Sequence, residues 1–263
     1  MPVPPRQGSV AVNATIRSIY RYPVKGLSAE PLTATRLAAG QTVPADRLYA
    51  VENGPCGFDP AAPAYLPKQR FLMLMKNESL ARLDTSFDEA THVLSIREGG
   101  REVARGDLKT DAGRTAIEAF FAAYCTAELN GPPKILHAPG HSFSDVARKV
   151  VSIINLASVA AIETVAGAAI DPVRFRANLY VEGWPAWSEF DLVGREIAIG
   201  ASARARVVKR IERCAATNVD PTTGIRDLRI PRTLLLNFDH SDCGVYAEVI
   251  AGGDIAIGDA VQA

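Results

Sequence analysis

The chain has 263 residues, 48% of them hydrophobic and 22% charged, which is an ordinary globular composition with room for one large domain or two small ones. Lysine plus arginine and aspartate plus glutamate both number 29, and the formal net charge of zero argues against a dedicated nucleic-acid binder. The longest apolar run, Val150 to Ile162, is interrupted by Ser152, Asn155 and Ser158 and falls short of the ~18 residues a membrane span needs.

In chain order, MPVPPRQGSVAV lacks the apolar stretch of a signal peptide, and residues 1–12 read as a disordered leader. Alternation then predicts strands at Ala14–Tyr20, Asp46–Glu52 and Thr91–Glu98. TAIEAFFAAYC predicts a helix with Ile117, Phe120, Phe121 and Tyr124 on one face and Asp111 at its cap. The Pro- and Gly-bearing loop Leu129–Ser144 is the expected boundary between a first unit, 13–135, and a second, 136–263. A second helix starts near Asn155 and stops at Gly167. Strands follow at Ala177–Glu182, Arg195–Ile199 and Val245–Ile250, with a further short one in GGDIAIGDAV. The fold class is therefore α+β and mostly β: two β-barrel-like modules with a few peripheral helices.

Four cysteines, at 56, 125, 214 and 243, are dispersed without a CxxC pair, so a reducing cytoplasm is the simplest compartment. Arg204–Arg232 carries eight positive residues against three negative ones, which points either to an anion site or to a solvated basic face. Cys214 lies inside this stretch. Its neighbours Arg210 and Arg213 favour a thiolate, the form that acts as nucleophile or soft metal ligand, while a buried structural cysteine is the alternative. His240 and Cys243 have a ligand-like spacing, but two ligands do not make a zinc site. Trp184 and Trp187 read as packing residues or the wall of a pocket. No P-loop, GxGxxG, HExxH or GxSxG is present, which removes support for nucleotide hydrolysis, simple NAD chemistry, zincin proteolysis and the common serine esterases.

IYRYPVKGLSAEPL with DRLYAVEN resembles the N-terminal β-barrel module of MOSC proteins, named for the molybdenum cofactor sulfurase C-terminal domain. RFRANLYVEGWPAWSEFDLVG, RIERCAATNVDPTTGIRDLRIP and GVYAEVIAGGDIAIGDAV resemble the MOSC domain itself, so the resemblance runs in order from about residue 14 to the end. It implies a barrel of the pyridoxal-phosphate-binding-like type and binding of the molybdenum cofactor, Mo-molybdopterin, as in the amidoxime-reducing component and its bacterial relatives. On that basis the expected function is a molybdenum-dependent oxidoreductase that reduces N-hydroxylated compounds. A cofactor carrier or a sulfur-transfer protein, using Cys214 as persulfide or docking thiol, is the alternative.

The resemblance further implies that Cys214 ligates molybdenum. It places Lys25, Gly26, Arg47, Arg176, Asn178, Arg213 and Tyr246 at cofactor-contacting positions. Asp220 is expected to orient the loop or deliver protons, with a turn-forming role before Pro221 equally open. Gly26 stands where some relatives have a small hydroxyl residue, and Arg148-Lys149 where relatives often have small polar ones. The sequence carries no iron–sulfur cluster motif and no pyridoxal-phosphate domain. Electrons are accordingly expected from a separate donor protein of ferredoxin, flavoprotein or cytochrome type, with no nucleic acid and no membrane span involved.

Overall fold

The structure, a computed structural model, describes residues 13–263; the leader expected over residues 1–12 lies outside the described residues. The first half contributes β1 (Asn13–Arg21), β2 (Glu30–Leu32), β3 (Ala34–Leu37), β4 (Ala50–Asn53), β5 (Leu83–Phe87), β6 (Val93–Glu98) and β7 (Arg101–Asp107), then α1 (Asp111–Tyr124) and β8 (Pro133–Leu136). The second half contributes β9 (Val151–Asn155), α2 (Leu156–Ala166), β10 (Leu179–Glu182), β11 (Glu196–Ile199) and β12 (Ala203–Glu212). It ends with α3 (Ile230–Phe238), β13 (Asp242–Ala251), β14 (Gly253–Ala256) and β15 (Ala260–Gln262).

Seven strands close into a barrel in the order β1-β10-β9-β13-β12-β11-β15, with β15 returning to β1 and β2 added outside β1. Closure leaves the barrel strands without a free edge. The expected division near residue 135 is not a division of sheets. β1 pairs Ile16 with Val181 and Ala14 with Val261, so the first strand of the chain completes the barrel of the last third. Its inward residues Ala14, Ile16 and Ile19 share a core with Ile153, Leu179, Val207 and Val245. Each fully buried Ile or Val contributes about 1.5–3 kcal/mol.

Within residues 24–135 a second core forms, in which Val24, Tyr49, Leu94 and Ile96 meet Ile117 and Phe121 of α1, while Leu37 and Val43 join the barrel core. The antiparallel sheet β5-β6-β7 and the pair β4–β8 frame it. The start of α1 departs slightly from expectation: Thr110 is the capping residue, accepting from Gly113 N at 3.0 Å, and Asp111 is the first helical residue. The strand expected over Asp46–Glu52 begins only at Ala50, because Arg47 turns the chain at φ 50°. The short α3, which buries Ile230 and Leu234 at helical spacing, was not among the expected elements. Pro231 lies in its first turn, and its outer face leaves Leu235 and Leu236 exposed.

Among the described residues, no helix is long and apolar enough to cross a membrane. The four cysteines are free; Cys243 is fully buried and its thiol is pushed up to about 12 by burial. His240 packs instead against Trp187, and no group of three or more His, Cys, Asp or Glu side chains is gathered to hold a metal among the described residues.

Candidate functional site

The barrel end that carries Cys214 and the 24–75 region of the chain enclose a cleft of about 250 Å³. Seven of its lining side chains are Lys or Arg and three are Asp or Glu, a cationic surplus in a protein of zero formal charge. Lys25, Gly26, Arg47, Arg176, Asn178, Arg213, Cys214 and Tyr246 all border it. Asp220 does not.

Cys214 is placed by the end of β12. The alternating run Ala203–Glu212 buries Ala205, Val207 and Ile211 and turns Arg204, Arg206 and Arg210 outward. The basic stretch read from the sequence is thus partly a solvated strand face, and Arg206 spends its charge on Glu196 at 2.6 Å. Where alternation stops, Cys214 opens a turn of 3-10 helix, Ala215–Asn218, its carbonyl accepting from Thr217 N at 3.1 Å and Thr217 Oγ1 at 2.9 Å. The thiol remains half-buried at the cleft. Beside it lies Lys68, which sequence reasoning missed. It sits on the single turn Lys68–Arg70, in a loop region without periodicity. Burial disfavours the Lys68 charge, but Cys214 and Asp145 nearby outweigh it and raise the ammonium above its ordinary value.

Two arginines form the cationic wall. Arg47 and Arg176 lie over the ring of buried Tyr22, with guanidinium carbons 4.4 and 4.3 Å from its centroid. Both adopt left-handed backbone, at φ 50° and 52°. Burial opposes the charge of Arg47, yet Asp46 at 2.6 Å more than compensates and raises it. Arg176 has neither hydrogen bond nor ion pair to its guanidinium among the described residues. Burial, with Arg47 adding repulsion, lowers its pKa from the ordinary value. A charge left in this state attracts an anion from outside the protein.

The remaining residues are more engaged. Lys25, only 5% exposed, donates to Phe143 O at 2.9 Å and to Asp145. Burial would raise the Asp145 carboxyl, but Lys25 overrides it and holds the group well below the usual carboxylate range. Arg213 is a backbone clamp: Nε and Nη2 donate to Cys243 O and Nη1 to Phe175 O at 2.9 Å, tying β13 to the turn before β10. Asn178 is also largely spent, its Oδ1 accepting from Ser152 N and Oγ and its Nδ2 donating to Tyr20 O. Tyr246 borders the cleft with Lys209 5.7 Å from its ring centroid.

Asp220 departs from the proton-delivery expectation. Oδ1 accepts from Thr222 N, Thr223 N and Thr223 Oγ1, and Oδ2 accepts from Arg174 at 3.1 Å, which accounts for its turn-forming role away from the cleft lining. Those hydrogen bonds, against some burial, lower its pKa. Tyr22, Lys68, Asp145 and Arg174 are the site residues the sequence reading did not single out. The YPVKG motif, which contains Tyr22, and the RFRAN motif, which begins with Arg174, were the available signals.

Residues 138–262 match the family model described as MOSC domain, and residues 13–129 match the one described as MOSC N-terminal beta barrel domain. No curated protein matches the chain. Among solved structures, the YUAD protein from Bacillus subtilis is 12% identical, with 96% of each chain covered and a TM-score of 0.46. YiiM from Geobacillus stearothermophilus is 18% identical over 43% of this chain and 53% of that one, with a TM-score of 0.34.

Proposed function

The chain is a MOSC domain protein with the family's N-terminal β-barrel module, and on that premise we propose that its cleft binds the molybdenum cofactor and reduces N-hydroxylated compounds. The observation that carries this reading is the meeting of a half-buried thiol, Cys214, with an unpaired guanidinium, Arg176, in one cationic cleft. The donor set fits the group. Molybdenum–dithiolene centres take a soft thiolate, and a terminal phosphate takes guanidinium forks. When bound, the cofactor supplies two-electron oxygen-atom chemistry.

The protein's own contribution is placement and charge. Arg176 and Arg47 anchor the anionic part, held against Tyr22 and so pre-positioned before anything binds. Cys214 provides the metal ligand, with the Lys68 ammonium beside it at the cleft. Lys25, bound to Asp145, fixes the strap that carries Gly26. In the net conversion R–NHOH takes two electrons and two protons and yields R–NH₂ and water, the N–O bond being broken. The electrons come from a separate one-electron redox protein.

Metal analysis and pterin fluorescence on the protein isolated from a cofactor-producing host test the reading. Stoichiometric molybdenum and pterin with reductase turnover support it. Sulfane sulfur on Cys214 without turnover would replace it with the carrier or sulfur-transfer role. Absence of both metal and pterin would leave the cleft without its assigned ligand.

A further inference from the structure

A second cavity of about 370 Å³ abuts the cationic cleft, and Gly26, Leu74, Arg174, Arg176 and Ala216 line both. Its character differs. Leu27, Leu80, Leu83, Val173 and Val219 line it; of its charged residues Arg82 and Arg174 are paired, Asp84 borders it, and the unpaired Arg176 lies in the wall shared with the cationic cleft. Arg82 pairs with Glu98 at 2.8 Å, and Asp171 caps Val173 N at 2.8 Å. Arg174, buried in the shared wall, pairs with Asp227 at 2.7 Å and Asp220 at 3.1 Å. Two carboxylates thus balance the charge of Arg174, so it offers this cavity no free cation for an anion.

We infer that this second cavity holds the body of the substrate: an uncharged, ring-sized apolar group, with its N-hydroxyl end toward the cationic cleft. The inference rests on the proposed reductase reading for the identity of that reacting end, but not for the existence of the apolar chamber. The volume falls within the range of small-molecule pockets. The position of Ala216 also supports the orientation, since this wall residue lies two positions after Cys214.

Two substitutions fill the cavity from different segments: Ala81→Phe from the half-buried turn Glu78–Arg82, and Thr222→Trp from an exposed loop position where a larger side chain is tolerated. Benzamide, neutral and unable to chelate metal as a hydroxamate does, is titrated into the whole chain as isolated and followed by ligand-observed NMR. Saturable binding that weakens at least about tenfold in Thr222→Trp, and in Ala81→Phe if that variant melts normally, is the expected result, since a buried aryl ring carries at least that much affinity. No saturable binding to the parent chain, or equal binding to Thr222→Trp, overturns the inference.

A turnover arm separates the two claims. On the cofactor-loaded protein, the ratio of kcat/KM for benzohydroxamic acid to that for hydroxylamine should fall at least about tenfold in the variants, because only the former has a body to bury. If neither compound is reduced while benzamide binding is blocked as expected, the reductase reading fails and the chamber stands. If both are reduced and the ratio does not change, the chamber fails and the reductase reading stands.

Discussion

Arg47 donates a 2.8 Å hydrogen bond to the backbone carbonyl of Arg176, so the two cations that flank Tyr22 are also tied through the main chain. The carbonyl is held by a residue in left-handed backbone, and the donor is another. Like charges at this separation repel, and non-glycine residues at positive φ cost about 1–2 kcal/mol each. The fold accepts that cost at a cleft whose other wall carries Cys214.

Arg176→Asn tests whether the arrangement serves a ligand or the fold. Asn tolerates left-handed backbone and removes the repulsion with Arg47. The cofactor-free variant should melt at or above the parent temperature, while cofactor retained after gel filtration falls at least about tenfold, as expected on losing a charge-assisted contact. A variant that unfolds more readily and keeps its cofactor would make Arg176 a structural residue.

Cys214→Ser removes the soft sulfur with little change in volume. Turnover should drop by at least about 10³-fold, corresponding to roughly 4 kcal/mol of lost transition-state stabilisation, while the melting temperature stays within a few degrees because the thiol makes no core contact. Pterin content should persist, held by Arg47 and Arg176. Retained activity with metal bound would defeat the ligand assignment.

Much of this site was readable from residue order, and the exceptions have physical causes. YPVKG, DRLY, RFRAN and RCAATN are contiguous motifs, and the fold brings Lys25, Arg47, Arg176 and Cys214 to one cleft. α2 was readable at both ends, because Asn155 caps Ala157 N at 3.1 Å and Gly167 takes φ 65°. Lys68 was not, since it stands in a loop region with no period to anchor it. Nor was the spent state of Arg213 and Asn178. Whether a polar side chain faces a ligand or a backbone carbonyl depends on partners 26 to 30 or more residues away in sequence. The crossing of β1 into the C-terminal barrel is non-local for the same reason: alternation tells which face of a strand is buried, not which strand lies beside it.

The Lys25–Asp145 pair sets an acid limit. A carboxyl whose folded pKa is depressed contributes stability that is present above its unfolded value of about 3.9 and is lost as pH falls through the folded one. In cofactor-free protein at pH 7, Asp145→Asn should destabilise by about 1–3 kcal/mol by leaving the Lys25 ammonium buried without its counter-charge, the half-exposed position of Asp145 keeping the loss below that of a fully buried pair. The difference between parent and variant should shrink steadily in urea melts taken from pH 4 down to pH 2. A difference that holds constant over that window would show that the carboxylate charge is not what steadies Lys25.

Gly26 is where the first module's strap must be thin. Its φ is +85°, and an added Cβ would sit 2.8 Å from Leu72 O and 3.3 Å from Met73 Cα, both backbone atoms that cannot swing aside. Gly40 offers a matched control: φ is +67°, with nothing within 4 Å of the added atom. Gly40→Ala should therefore cost only the conformational penalty, about 1–2 kcal/mol. Gly26→Ala should cost visibly more, about 2–4 kcal/mol, because the contact must be relieved by moving the 71–75 segment. That segment borders both cavities through Leu74, so the same variant should lose cofactor at a rate Gly40→Ala does not share. Equal denaturation midpoints for the two alanine variants would remove the close approach from the account of the cleft's shape.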